Sequence, residues 1–207
     1  MANTQSPFGF SEIYGGSGGA PTMAQSVRRI ASTNSTAIYY GDPVMPVVSS
    51  ANGYITQAAA GSTAVAGIFV GCEYTSVSQK RKVWNRYWPG SDASGDVTAY
   101  VIDDPNAQFL VQTSGTSFTV SGTVTAFGTS PVGKYCQFNI GTGNTANGLS
   151  GAFVDTLGTT ITYPFIIRDM WIGPSNGGDP LTQYCNVIVG FNNEVWRTNG
   201  AGPTGIS

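Results

Sequence analysis

The chain has 207 residues, is 41% hydrophobic and 12% aromatic, and carries nine basic against eleven acidic residues for a net charge of -2. That much hydrophobic content excludes wholesale disorder, and the length admits one large β domain or one domain with a smaller attachment. The near-neutral balance excludes phosphate binding as the dominant theme, since that needs clustered Lys and Arg, and the absence of histidine removes the commonest general base and metal ligand near neutral pH.

Residues 1–40 read as an N-terminal arm. Phe8, Phe10, Ile13 and Tyr14 are scattered apolar anchors, and Gly15-Gly16-Ser17-Gly18-Gly19 is a flexible joint because glycine lacks the Cβ that restricts φ and ψ. Residues 23–30 fit a short helix or an extended strand; no other segment holds helical periodicity. Such an arm is ordered either on another molecule's surface or as an N-terminal strand on its own domain.

Residues 41–207 read as a β domain. Val44, Val47 and Val48 are strand formers, and Asn52-Gly53 is a short hairpin signal before Tyr54-Ile55-Thr56. Residues 65–71 are an apolar run of buried-strand length. Residues 83–88 form an aromatic strand ended by Pro89-Gly90, and 97–102 another ended by Asp103-Asp104-Pro105. A strand at 109–112 follows. Residues 117–126 alternate Phe118, Val120, Gly122, Val124 and Ala126 with Ser and Thr, as a half-buried strand does. Further strands are predicted at 134–140, 152–155, 160–167, 170–172 and 184–192, with a Gly/Asn/Thr loop at 141–150 and a turn cluster at 173–180. Many short strands at regular spacing predict an all-β fold, an antiparallel barrel or sandwich.

Charged residues are only 10% of the chain, against about 25% in typical domains. Its surface is therefore built mainly from Ser, Thr, Asn, Gln and Gly. That suits a protein packed against neighbours, and equally a Thr/Ser-faced β protein free in solution. Cys72, Cys136 and Cys185 are odd in number and widely spaced, which fits buried thiols in a reducing cytoplasm better than a disulfide framework or a zinc motif. Residues 1–10 have neither the basic start nor the apolar core of a signal peptide, and the longest apolar run falls short of the ~20 residues of a spanning helix. A soluble protein made in a cytoplasm is expected.

Catalytic patterns fail on context. Gly15-Gly16-Ser17-Gly18-Gly19 matches a nucleophile elbow in letters, but its serine has no histidine in the chain. Asp103 and Asp104 are adjacent, and neighbours on a strand point to opposite faces. The loop at 141–150 has glycines but no lysine, so it is not a phosphate loop. Asp179 sits in a turn with Asn176 and Gly178, the composition of an ordinary turn. The sharpest polar feature is Lys80-Arg81-Lys82 with Arg86, interleaved with Trp84, Tyr87 and Trp88. Such a mixture serves a charged hairpin tip with core-facing rings, an interface rich in hot-spot residues, or a stacking platform for sugars or single-stranded nucleic acid.

The order of Gly41-Asp42-Pro43-Val44, a polar turn, a small-residue stretch and Gly67-Ile68-Phe69-Val70-Gly71 resembles the head decoration (cement) proteins of tailed bacteriophages. Tyr87-Trp88-Pro89-Gly90, Val101-Ile102-Asp103-Asp104-Pro105, the glycine-rich loop at 141–151 and Val187-Ile188-Val189-Gly190-Phe191 extend the resemblance over most of the chain. It implies a non-enzymatic virion protein, without cofactor or metal, that binds the outer surface of the expanded head and bridges major capsid protein subunits. It also implies a homotrimer at three-fold or quasi-three-fold positions, made in the host cytoplasm, with neither nucleic acid nor membrane as partner. On this basis Phe8, Phe10, Ile13, Tyr14, Arg28 and Arg29 are the expected capsid clamp. Lys80, Arg81, Lys82, Trp84, Arg86, Tyr87 and Trp88 are the expected subunit interface. The alternatives are another virion component of tail or tube, a carbohydrate-binding adhesin using Trp84, Tyr87 and Trp88, or a hydrolase with an unrecognised carboxylate pair.

Overall fold

The computed structural model describes residues 4–15, 20–21, 23–47, 53–114, 119–120, 123–124, 131–171 and 184–196. Among them the fold is all-β, without helices. The strands in chain order are β1 (Ser11–Tyr14), β2 (Ser26–Ile30), β3 (Pro43–Pro46), β4 (Ile55–Gln57), β5 (Gly67–Thr75), β6 (Lys82–Asn85), β7 (Val97–Ile102), β8 (Gln108–Gln112), β9 (Thr119–Val120), β10 (Thr123–Val124), β11 (Tyr135–Asn139), β12 (Phe153–Gly158), β13 (Phe165–Met170) and β14 (Asn186–Phe191). Two six-stranded antiparallel sheets pack as a sandwich. One has the order β1-β8-β14-β13-β11-β12; the other runs β2-β7-β5-β3-β4, with β6 alongside β5. Isolated parallel bridges join Thr113 to Val154 and Arg29 to Tyr54, but neither sheet closes into a barrel.

β5 is buried on both faces over most of its length, which is why it reads as a continuous apolar run. Ile68 and Val70 enter the larger core, shared with Phe109, Phe138, Phe165, Val187 and Phe191. Phe69, Cys72 and Tyr74 enter a smaller core with Ile30, Val44, Trp88, Val97 and Val101. A register shift between Phe69 and Gly71 inserts one residue, so Phe69 and Cys72, three apart, both reach the smaller core.

Of the two arrangements open to residues 1–40, the described residues take that of strands on the chain's own domain. β1 pairs with β8 and β2 with β7. Phe10 is 1% exposed, stacked on Phe165 at 4.6 Å between centroids and edge-on to Phe138. The Phe10 N–H donates to Gly41 O at 2.9 Å. Gly41 has φ +89°, and a Cβ there would lie 2.8 Å from Phe10 N, so only glycine lets the two segments cross this closely. The two alternatives for residues 23–30 resolve to a strand over 26–30.

Three predicted strands differ from the structure, one of them 170–172, whose Met170 is the last residue of β13. β9 and β10 are antiparallel to each other, so the single strand read at 117–126 is two, and residues 121 and 122 between them lie outside the described residues. Residues 160–164 are a turn, with the Tyr163 N–H donating to Thr160 O, and β13 starts only after Pro164, which cannot donate to a ladder. β3 and β4 pair as a hairpin, but with Pro46 opposite Ile55 the register is not the one a two-residue turn at Asn52-Gly53 would set; Asn52 itself lies outside the described residues. So do residues 16–19 of the glycine joint and the turn cluster at 173–180, including Asp179. The cysteines form no disulfide, and all three are buried.

Candidate interaction surface

β6 pairs with β5 and flanks the second sheet. Directly opposed residues on antiparallel strands share a face. Trp84 stands opposite Glu73, Glu73 opposite Thr98, and Thr98 opposite Arg29, so one row crosses four strands. Trp84 is 61% exposed. Its ring lies against Gly71, where a Cβ would sit only 3.0 Å from ring carbon Cζ2. Glu73 fixes this row: it is ion-paired with Lys82 and accepts a hydrogen bond from Tyr100 OH at 3.1 Å.

The turn joining β5 to β6 is held from below by Asp92. Its carboxylate accepts from Ser76 Oγ at 2.7 Å, Ser78 N at 3.0 Å and Ser78 Oγ at 3.2 Å. These bonds, that of Ser76 foremost, hold its carboxyl below the usual carboxylate range. Lys80 sits at φ +56° in this turn. Arg81 donates from Nε and Nη2 to Gln79 Oε1 at 3.1 and 2.9 Å. Lys80, Arg81 and Lys82 are all exposed.

The expected interface group is only partly brought together. Trp88 is 0% exposed, edge-on to Tyr74 at 5.2 Å, with Nε1 donating to Asn34 O at 3.2 Å. It is a core residue. One face of Tyr87 is covered by Tyr39, stacked at 5.2 Å and 7°. The Arg86 guanidinium lies over Tyr40 at 4.6 Å. A platform of three open rings at 84, 87 and 88 therefore does not form; Trp84 alone presents an open face. The cations at 80, 81 and 82 share the hairpin tip, as expected.

The expected clamp residues are dispersed. Phe10 is in the core, Phe8 is half-buried, and Ile13 and Tyr14 are half-buried in β1. Arg28 is ion-paired with Asp103 at 2.6 Å and lies over the Trp196 ring at 4.6 Å. Arg29 is exposed, 5.7 Å from the centroid of Tyr54. These six side chains form no single contact surface, because alternate β2 residues face opposite ways and Phe10 faces inward.

The Asp103-Asp104 pair diverges. Asp103 takes Arg28 and Ser26 Oγ, whereas Asp104 Oδ1 accepts the Asn106 N–H at 2.9 Å and starts a turn. Among the described residues no three Asp, Glu, Cys or His side chains converge in a way that would hold a metal ion, and no helix is long and apolar enough to cross a membrane. A shallow recess of about 260 Å³ is lined by Ala31, Thr33, Asn34, Val47, Ile55 and Thr56, with no titratable group in that lining.

One polar centre escaped the sequence reading. Asp42 is 1% exposed, and its carboxylate accepts from Tyr39 N at 2.7 Å, Gln57 Nε2 at 2.7 Å and Ser150 Oγ at 2.5 Å. Burial pushes its carboxyl above the usual range, against those three bonds. Ser150 Oγ also accepts the Ala152 N–H at 2.8 Å. The group ties the turn before β3, strand β4 and the loop at 141–151 into one unit. Its only signal was Asp42 between a glycine and a proline, which does not announce three distant donors. Against this geometry, no protein-family model, no curated protein and no solved structure matches the chain.

Proposed function

We propose that the chain decorates the outer surface of an expanded bacteriophage head and stabilises it by bridging capsid subunits. The observation that carries this reading is the Trp84 row. An open indole is held flat on Gly71 beside a basic turn, on a rigid sheet whose two cores are already filled. Trp and Arg are the residues that dominate protein interfaces, and a pre-organised anchor loses little entropy on docking. The ordered segments that resemble decoration proteins support the same reading, as does the low charge of the body.

On this proposal the protein folds in the host cytoplasm and acts in the virion as a homotrimer. Three weak contacts on one body bind far better together than singly, because the second and third are intramolecular. A ligand that favours the assembled shell over separated subunits stabilises the shell by mass action. The test is to heat expanded heads with and without saturating chain. The proposal expects a higher disruption temperature with the chain present, and an unchanged one contradicts it.

A further inference from the structure

We infer that the β5–β6 hairpin docks onto an acidic protein surface, with Trp84 as the apolar anchor and Lys80 and Arg81 as the charged rim. The inference rests on the decoration reading and specifies its contact: the acidic surface belongs to the shell. The hairpin, residues 67–85, carries three basic residues (Lys80, Arg81 and Lys82) against one acidic, Glu73, whereas the rest of the chain carries six basic against ten acidic. The hairpin is thus a basic projection on an acidic body.

Lys82 is ion-paired with Glu73 and Arg86 lies over Tyr40, which fixes the flanks of Trp84. Lys80 and Arg81 at the exposed tip are left to meet carboxylates from outside. Asp92 holds that tip in place before any partner arrives.

The same charges disfavour a second copy of this strand as occupant. Antiparallel pairing of two β6 strands centred on Trp84 would set Lys82 against Arg86 of the other copy. Centring on Val83 would set Lys80 against Arg86. Like charges directly opposed are destabilising. Single-stranded nucleic acid is disfavoured because its sites stack successive bases on several rings, whereas here one face of Tyr87 is taken by Tyr39 and Trp88 is buried.

The test measures binding of the full chain to expanded heads of the virus that encodes it. Wild type is compared with the double variant Lys80→Glu/Arg81→Glu and with Trp84→Ala, with poly-glutamate and oligo-dT as competitors. All three positions are exposed, and an unchanged thermal melt verifies folding. Each variant is expected to lose at least about tenfold in affinity. Wild-type binding is expected to weaken as salt shortens the Debye length below about 8 Å and to be displaced by poly-glutamate alone. Variants that bind like wild type, or displacement by oligo-dT instead, overturn this inference and leave the decoration reading standing. Wild type that fails to bind heads at all removes both.

Discussion

The Phe10 ring stacks on Phe165 at 4.6 Å and 23°, joining the first ten residues to a strand more than 150 positions later. Phe165 in turn stacks on Phe191 at 5.7 Å, and Phe191 meets Phe109 edge-on at 5.2 Å. The N-terminal segment thus supplies one end of the aromatic column through the larger core. Replacing Phe10 by Ala is expected to cost about 3–5 kcal/mol, the usual range for a buried ring. Chemical denaturation of the variant checks it. Removal of residues 1–40 should yield an unfolded or aggregating chain rather than a trimmed decoration protein, since it takes away β1, β2 and Phe10 together.

Asp42 tests a buried acid held only by neutral donors. Asp42→Ala leaves the Tyr39 N–H and the Gln57 amide without their acceptor, at about 1–3 kcal/mol for each buried group left unpaired. Asp42→Asn keeps one oxygen for those donors and offers an N–H to Ser150 Oγ, so it should cost less. The pH dependence separates the two effects. Because the native carboxyl binds its proton more tightly than the unfolded one, stability should fall as pH rises from the ordinary carboxylate range through the raised native value. Asp42→Asn should lack that fall, which denaturant titrations across acid pH will read.

Asp92 acts in the opposite sense. Its lowered carboxyl supports the β5–β6 turn at all pH above the ordinary carboxylate range and loses that support only as pH falls through the lowered value. Asp92→Ala should speed amide exchange at residues 76–81 while leaving exchange in β5 and β7 unchanged. Equal acceleration throughout the sheet would show that Asp92 holds more than the turn.

The thiols provide a folding probe. Burial pushes Cys72 up to about 12 and raises Cys136 as well. Thiolate is the reactive form, so neither should react with a thiol reagent in the native state at neutral pH. Both should label once denaturant unfolds the chain.

What the sequence disclosed follows the range of each interaction. β5 and β7 were legible because their apolar runs and bounding turns are local, and so was the all-β class. The choice of sandwich over barrel was not, since it depends on which of the fourteen described strands sit side by side. Trp84 and Trp88 are four residues apart in one aromatic segment, yet one is open and the other sealed. Local pattern could not separate them, because Trp88 is claimed by Tyr74 and Asn34. The two arrangements of the N-terminal segment could not be told apart for the same reason: Phe10 has no core of its own until Phe138 and Phe165 arrive. Asp42 looked like turn punctuation until Gln57 and Ser150 closed on it.

The measurement that most directly tests the account is co-sedimentation of purified chain with expanded and with unexpanded heads. The account predicts saturable binding at a fixed number of copies per shell on expanded heads, and little on unexpanded ones. Absence of the chain from the expanded-head pellet, or equal pelleting with both forms, would contradict it.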